Sequence, residues 1–285
     1  MDVAVIGLGR MGLAMARRLA RRGHMVRGWD TAPGRRDAAR AGGIAVAEDA
    51  TAGAEIVLLS LPDDAAVRAV AERLPAAGLR AGAVVVDTST VSPATPRALA
   101  PPFAAIGLGW LDAPVSGGPA GAAEGRLVAM AGGEAETLAA ARPVLDDLAH
   151  RVVHVGPPGA GAVAKLANNL LLAANVIAAA EAIALARRAG VEPARVLDAI
   201  NGASGRSAAT EVNLPRWILS GRFDSGFTAG LMRKDLRLAR ALADGVGFAE
   251  GLVLEAVRLW LDSPVPDAAD FNRVPAAVLG ELGHG

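Results

Sequence analysis

The sequence contains no cysteine and no tyrosine among its 285 residues. The absence of cysteine excludes disulfide bonds, thiol nucleophiles and cysteine metal sites, and it suits a reducing compartment. The first residues show no basic, apolar and cleavage pattern, so we expect a cytoplasmic protein. The four histidines (His24, His150, His154 and His284) are scattered without metal-ligand spacing, and we expect no metal site.

The charge balance gives no reason to expect a polyanionic partner. Lys plus Arg and Asp plus Glu both total 29, so the formal net charge is zero. We therefore expect neither nucleic acid nor an anionic membrane as a partner. Hydrophobic residues make up 52% of the chain, enough to build the core of one large domain or two ordinary ones. The most apolar run, between Lys165 and Glu181, contains three asparagines and is short for a membrane span, which indicates a soluble protein.

The chain opens with the pattern of a dinucleotide-binding unit. Asp2–Ile6 is a short apolar strand and is followed by a glycine-rich loop and then a helix through Arg22. The loop reads Gly7-Leu8-Gly9-Arg10-Met11-Gly12. Its first glycine permits a tight turn, its second allows close approach of a pyrophosphate, and its third allows the helix to pack on the strand.

The second predicted strand, Met25–Asp30, ends in a carboxylate. In this position a carboxylate accepts hydrogen bonds from the ribose of NAD and repels the 2′-phosphate of NADP. Asp30 therefore favours NAD. Arg35 and Arg36 follow closely and could pair with a phosphate, so NADP remains possible.

Strands and helices continue to alternate as far as residue 155. Further strands are predicted at 55–60, 83–87, 126–131 and 151–155, with helices after Asp63 and Pro93 and at 134–148. This alternation predicts a doubly wound parallel sheet, whose ligands bind at the carboxyl ends of the strands. Leu61-Pro62 and Thr88-Ser89-Thr90 follow two such ends.

After residue 159 only helical signals remain. Helices are predicted at about 161–187, from Pro193 to Ala203, and near 214–220, 231–243 and 251–261. We therefore predict a Rossmann domain over residues 1–158 and an all-helical domain over residues 159–285, joined by the long helix.

The long helix carries polar residues in an apolar setting. Lys165 and Asn169 are one turn apart and point from the same side. Buried polar groups need partners, so they either pair within the protein or face a cavity that holds a polar ligand. Because its apolar residues cover nearly every face, the helix needs burial on all sides, and we expect a homodimer or homotetramer built on it.

Two further segments could hold ligands. Ser116-Gly117-Gly118 offers small residues and backbone N–H groups that can cradle a carboxylate. Lys234-Asp235 lies in a predicted helix, where such a pair is usually a solvated surface feature.

Five motifs in one order resemble the β-hydroxyacid dehydrogenase family, which includes 3-hydroxyisobutyrate dehydrogenase and tartronate semialdehyde reductase. The motifs are the glycine loop 7–12, Asp87-Thr-Ser-Thr90-Val-Ser-Pro93, Asp112-Ala-Pro-Val-Ser-Gly-Gly118, Gly161-Ala-Val-Ala-Lys165-Leu-Ala-Asn-Asn169, and Phe227 to Lys234-Asp235. The resemblance implies reversible hydride transfer between NAD(P) and a small 3-hydroxy acid or its semialdehyde.

The same resemblance implies roles for individual residues. Lys165 would be the catalytic lysine, Asn169 would orient the substrate, and Ser116-Gly117-Gly118 would bind its carboxylate. Leu61, Pro62 and Thr90 would line the nicotinamide site, and Lys234, next to Asp235, would reach the cofactor or the substrate acid. Thr31 stands where NADP-preferring members often have Arg, which supports NAD, whereas Arg126 departs from the Thr that the family often has.

Other functions stay open at this stage. A relative that acts on imines usually replaces the catalytic lysine, and this chain has Lys165. Sulfonated or 4-hydroxy acids are other possible substrates. A non-catalytic NAD-binding protein is the alternative from a different class, and the presence of both Lys165 and Asn169 argues against it.

Overall fold

The computed structural model describes residues 1–283, so His284 lies outside the described residues. The chain divides into two compact units, Met1–Lys165 and Leu166–Gly285.

The first unit alternates strands and helices. Its strands are β1 (Asp2–Ile6), β2 (Met25–Trp29), β3 (Ala45–Val46), β4 (Ile56–Leu59), β5 (Val84–Asp87), β6 (Gly109–Asp112), β7 (Val115–Ser116), β8 (Leu127–Gly132) and β9 (Ala149–Gly156). Its helices are α1 (Arg10–Arg21), α2 (Pro33–Ala41), α3 (Asp64–Ala71), α4 (Ala94–Ala105), α5 (Gly118–Glu124) and α6 (Ala135–Leu148), with a 3₁₀ turn at Leu74–Ala76.

These strands form one sheet in the order β3-β2-β1-β4-β5-β6-β8-β7, with β9 paired to β8. All neighbours from β3 to β6 are parallel. Strand β8 runs antiparallel to β6 and β7 but parallel to β9. The predicted Rossmann architecture is confirmed as a sheet dominated by parallel pairs. The short strands β3 and β7 were not predicted from the sequence, because two-residue strands carry no periodic signal. The helix α5 was not predicted either.

Both faces of the sheet are covered, which explains why its central strands are apolar throughout. In β5, for example, Val84 and Val86 pack into the cluster that contains Met15 and Leu19 of α1. Val85 points to the opposite face and packs into the cluster that contains Phe103 of α4. Because β1, β2, β4, β5 and β6 are parallel, their carboxyl ends lie at one edge of the sheet, where the polar residues of the candidate site begin.

The second unit is helical throughout its described part. It contains most of α7 (Ala160–Arg188), then α8 (Pro193–Asn201), a π-helical segment (Ala209–Ile218), α9 (Ala229–Gly245), α10 (Leu252–Asp262) and α11 (Arg273–Gly283). The helical domain is thus confirmed. The helix predicted near 214–220 was placed too late, since the observed segment begins at Ala209. The wider π-helical winding accommodates Pro215 inside the segment. Helix α11 was not predicted.

Helix α7 is less completely buried than its sequence indicates. One side, including Ala173, Val176 and Ile183, is packed in the core of the second unit. On another side Leu171 is 55% exposed and Leu185 is 71% exposed. By length and composition alone α7 could cross a membrane, and 44% of its most apolar stretch is buried inside the protein. The expectation of burial on all sides is therefore not met within one chain.

Candidate active site

The glycine loop is tightly packed at its two ends and open in its middle, as a dinucleotide site requires. A Cβ atom built at Gly7 would lie 2.2 Å from the Ser60 carbonyl oxygen, and one at Gly12 would lie 1.8 Å from that of Gly7. At Gly9 the nearest atom is Arg35 Nη1, 4.0 Å away. Arg10 and Met11 begin α1, whose first N–H groups favour an anion. The loop therefore fits a pyrophosphate.

Asp30 lies directly after β2, beside this loop. Its side chain is 4% exposed and lies 3.3 Å from Arg35 Nη1. The backbone N–H groups of Leu8 and Ala32 each donate to one of its carboxylate oxygens, both at 2.8 Å. These bonds hold the carboxylate in one orientation next to the glycine loop.

Arg36 is held away from a phosphate position. Its Nη1 donates to the carbonyl oxygens of Asp30 and Thr31, and its guanidinium lies 4.6 Å from the centre of the Trp29 ring. Arg35 is the more accessible candidate for phosphate pairing, since its side chain is 58% exposed.

The loops after β4 and β5 are brought together because these strands are neighbours in the sheet. The Leu61 N–H donates to Ser89 Oγ at 2.9 Å, and Thr88 Oγ1 donates to the Leu59 carbonyl at 2.6 Å. Pro62 is exposed and Thr90 is half-buried. The residues expected to line the nicotinamide site thus lie on two mutually bonded loops.

Ser116-Gly117-Gly118 forms the turn between β7 and α5. Gly117 has φ 127° and Gly118 has φ 66°, conformations that favour glycine. A Cβ atom at Gly118 would meet nothing within 4 Å, so the loop faces open space. Arg126, the departure from the family pattern, forms an ion pair with Glu124 at the protein surface.

Two buried carboxyl groups at the ends of β5 and β6 had no role in the sequence interpretation. Asp87 and Asp112 are each 1% exposed and are register partners. Burial raises the pKa of Asp87 to about 7, against hydrogen bonds from Ser89 that lower it. Burial likewise raises the pKa of Asp112 to about 6, against backbone hydrogen bonds from Gly159 and Ala162. In the sequence, each of these two residues could have been recognised as a carboxylate at the end of an apolar strand.

Lys165 and Asn169 occupy successive turns of α7. Lys165 is 9% exposed and Asn169 is 4% exposed. Within the second unit, Asn169 Nδ2 donates to Asp235 Oδ2 at 2.7 Å, and its Oδ1 accepts from Asn168 Nδ2 at 3.1 Å. The Asn169 amide is therefore fixed in orientation.

Lys234 and Asp235 lie on α9 and are not a solvated pair. Asp235 is 2% exposed, and Lys234 Nζ lies 3.0 Å from its Oδ1. Asp235 thus contacts both Asn169 and Lys234, which joins three of the predicted site residues. Among residues 1–283 no cluster of acidic or histidine side chains could hold a metal ion.

Two family models together match most of the chain. A family model described as the NAD binding domain of 6-phosphogluconate dehydrogenase matches residues 2–156. Another, described as NAD-binding of NADP-dependent 3-hydroxyisobutyrate dehydrogenase, matches residues 159–263.

Named relatives match along most of the chain. A probable 3-hydroxyisobutyrate dehydrogenase of Mycobacterium tuberculosis is 40% identical over 282 residues, covering 95% of this chain and 96% of the relative. An NAD-dependent L-serine dehydrogenase of Pseudomonas aeruginosa is 39% identical over 256 residues, covering 85% of each.

A solved structure shares the fold. The structure of Mycobacterium tuberculosis 3-hydroxyisobutyrate dehydrogenase with L-serine matches with a TM-score of 0.90 at 37% identity, covering 97% of this chain and 98% of that one. With the dinucleotide loop and the motifs in place, the chain belongs to the 3-hydroxyisobutyrate dehydrogenase family of NAD(P)-dependent hydroxyacid dehydrogenases.

Proposed function

We propose that this enzyme oxidises a small 3-hydroxy acid similar to 3-hydroxyisobutyrate with NAD, or reduces the corresponding semialdehyde. The observation that carries the proposal is the pair of buried polar residues, Lys165 and Asn169, on successive turns of α7. The glycine loop and Asp30 supply a fitting site for the dinucleotide in the first unit.

Lys165 is the proposed general acid and base. A bound nicotinamide would supply the hydride acceptor, and the chain would have to supply a group that takes the hydroxyl proton. The chain has no cysteine or tyrosine to take that proton. His24 contacts Asp147, and His150 and His154 contact the carbonyl oxygens of Arg126 and Gly133. We assign this role to Lys165, a buried amine one turn from Asn169, because burial disfavours the charged form of an amine.

Asn169 is proposed to hold the reacting hydroxyl oxygen. One N–H of its amide nitrogen donates to Asp235, which leaves the second N–H for a substrate oxygen. A donor at this position also stabilises the negative charge that develops as the proton leaves. Asp235 acts on the substrate through Asn169, and its contact with Lys234 keeps that ammonium near the same network.

Ser116-Gly117-Gly118 is proposed to bind the substrate carboxylate, with Lys234 as a contact of either the cofactor or the substrate acid. The two relatives named above act, by name, on 3-hydroxyisobutyrate and L-serine. Both compounds carry a hydroxymethyl group on the carbon that bears the carboxylate. We therefore propose that every substrate carries a hydroxymethyl group and a carboxylate on one carbon. Different substrates would then differ in the third substituent on that carbon.

Replacing Lys165 tests the proposed chemistry. Lys165→Met should lower turnover by about 10²–10⁴-fold, the usual contribution of a positioned acid–base group. Lys165→Arg should not restore it, because a guanidinium stays protonated. In the wild type, oxidation should rise with pH and reduction should fall over the same range. Steady-state rates on the best hydroxy acid, with thermal unfolding as the control for folding, measure this. If Lys165→Met keeps more than about a tenth of wild-type turnover, Lys165 is not the acid–base group.

Cofactor preference is proposed to depend on Asp30, in favour of NAD over NADP. Asp30→Ala should weaken NAD and relax discrimination against NADP, because the ribose acceptor and the repulsion of the 2′-phosphate leave together. Adding Thr31→Arg should shift preference further by pairing with the phosphate. The measurement is kcat/KM for both cofactors in each variant. A wild type that uses NADP at least as efficiently as NAD would refute the role of Asp30.

A second copy of the chain is proposed to cover the exposed stripe of α7, giving a homodimer or homotetramer. The stripe consists of apolar residues at helical spacing, namely Leu171, Ala178, Ala182 and Leu185. Light scattering at micromolar concentration should therefore give at least twice the mass of one chain. Leu185→Glu should shift this mass towards the monomer, whereas Met25→Glu, at a similarly exposed site in the first unit, should not. A monomeric wild type would contradict the proposal.

A further inference from the structure

We propose that Asp112 is a positioning residue that holds the first turn of α7 against the sheet and thereby fixes Lys165 for proton transfer. The inference rests on the proposed function of Lys165. Asp112 is the last residue of β6 and is 1% exposed. Its Oδ1 accepts from the Gly159 N–H at 2.8 Å, and its Oδ2 accepts from the Ala162 N–H at 2.9 Å.

These two bonds provide acceptors for backbone N–H groups that have no acceptor within the helix. The first N–H groups of an α-helix have no carbonyl partner within the helix, and a negative charge is favourable there. Most helices obtain this cap from an adjacent residue, but α7 obtains it from a strand 47 residues earlier in the chain. Because both carboxylate oxygens bind and their N–H donors are three residues apart, the carboxylate constrains the direction of the helix as well as its start.

The contact between strand and helix has no spare room. A Cβ atom at Gly161 would lie 2.2 Å from the Met130 carbonyl oxygen and 2.6 Å from that of Asp112. A Cβ atom at Gly132 would lie 2.6 Å from the Gly161 nitrogen and 2.7 Å from Asp112 Oδ1. Glycine at both positions lets the backbone of α7 reach the carboxylate. The first turn is therefore docked directly on β6 and β8.

Lys165 is the residue that this docking positions. It follows Ala162 by three residues, so it lies about one turn beyond the pinned N–H group. A helix transmits displacement of its first turn to the next turn with little loss, because each turn is hydrogen-bonded to the one before. A misplacement of about 1 Å at a reacting group can cost about a hundredfold in rate. Loss of the Asp112 hydrogen bonds should therefore slow the chemical step of the reaction.

The test replaces Asp112 with its neutral isostere. In Asp112→Asn one acceptor becomes an N–H donor that faces a backbone N–H group, so one of the two bonds is lost. Turnover with NAD and the fastest hydroxy acid should fall about 10–100-fold, while KM for NAD stays near the wild-type value. The primary deuterium isotope effect on kcat, measured with deuterium on the reacting carbon, should rise because hydride transfer becomes rate-limiting. A loss of folded protein alone would leave the isotope effect unchanged.

Asp147→Asn is the matched control. Asp147 also accepts from several partners in the first unit, Arg22 and His24 among them, but none of its hydrogen bonds within residues 1–283 reaches α7. Its loss should lower thermal stability without changing the isotope effect. Gly161→Ala is a second variant that leaves the carboxylate in place and pushes the helix away from Met130. It should reproduce the low turnover and the larger isotope effect of Asp112→Asn.

Amide hydrogen exchange separates this proposal from the proposed activity. Exchange at residues 159–165 should be about fivefold or more faster in Asp112→Asn than in the wild type, and unchanged in Asp147→Asn. Unchanged exchange at these residues, or a wild-type isotope effect and turnover in Asp112→Asn, would overturn the proposal. If the wild type oxidises no hydroxy acid, the proposed function fails, while the exchange result still decides whether Asp112 holds the helix.

Discussion

The two hydrogen bonds from the start of α7 to the Asp112 carboxylate connect the sheet to the helix that carries Lys165. The carboxylate is buried, and a buried charge is costly unless donors surround it. In this protein the helix N–H groups are those donors, so the charge and the helix end satisfy each other. Glycine at positions 132 and 161 is a consequence of this arrangement, since any side chain there would separate the two.

A similar constraint organises the second unit around Asp235. Its side chain is buried and contacts Asn169 and Lys234, for which the family resemblance implies roles in the site. In an apolar helical core, such a network has to satisfy each polar group, which limits the orientations available to the Asn169 amide. The polar residues that the chain retains inside its helices are therefore held by specific partners. Substitution of one partner should disturb the others, because Asp235 forms both the hydrogen bond to Asn169 and the ion pair with Lys234.

The sequence was sufficient for the elements whose signal is local. Apolar β-branched runs located the central strands, and the glycine spacing located the dinucleotide loop. Segments without periodicity were missed, as with β7 and α5, or displaced, as with the π-helical segment around Pro215. The same distinction between local and non-local signals applies to the residues of the candidate site. Asp30 and Lys165 could be named as candidates because each stands in a recognisable local motif, whereas the link from Asp112 to Gly159 spans 47 residues and has no local signature.

The most direct test of the central claim is a substrate panel for the wild-type enzyme. Formation of reduced cofactor would be followed at the nicotinamide absorbance band with 3-hydroxyisobutyrate, L-serine and a primary alcohol that lacks the carboxylate. We expect oxidation of at least one of the two acids with NAD, at a kcat/KM at least about a hundredfold above that of the alcohol, because the alcohol would leave the carboxylate-binding groups unpaired. Equal rates with the alcohol, or no oxidation of either acid, would contradict it.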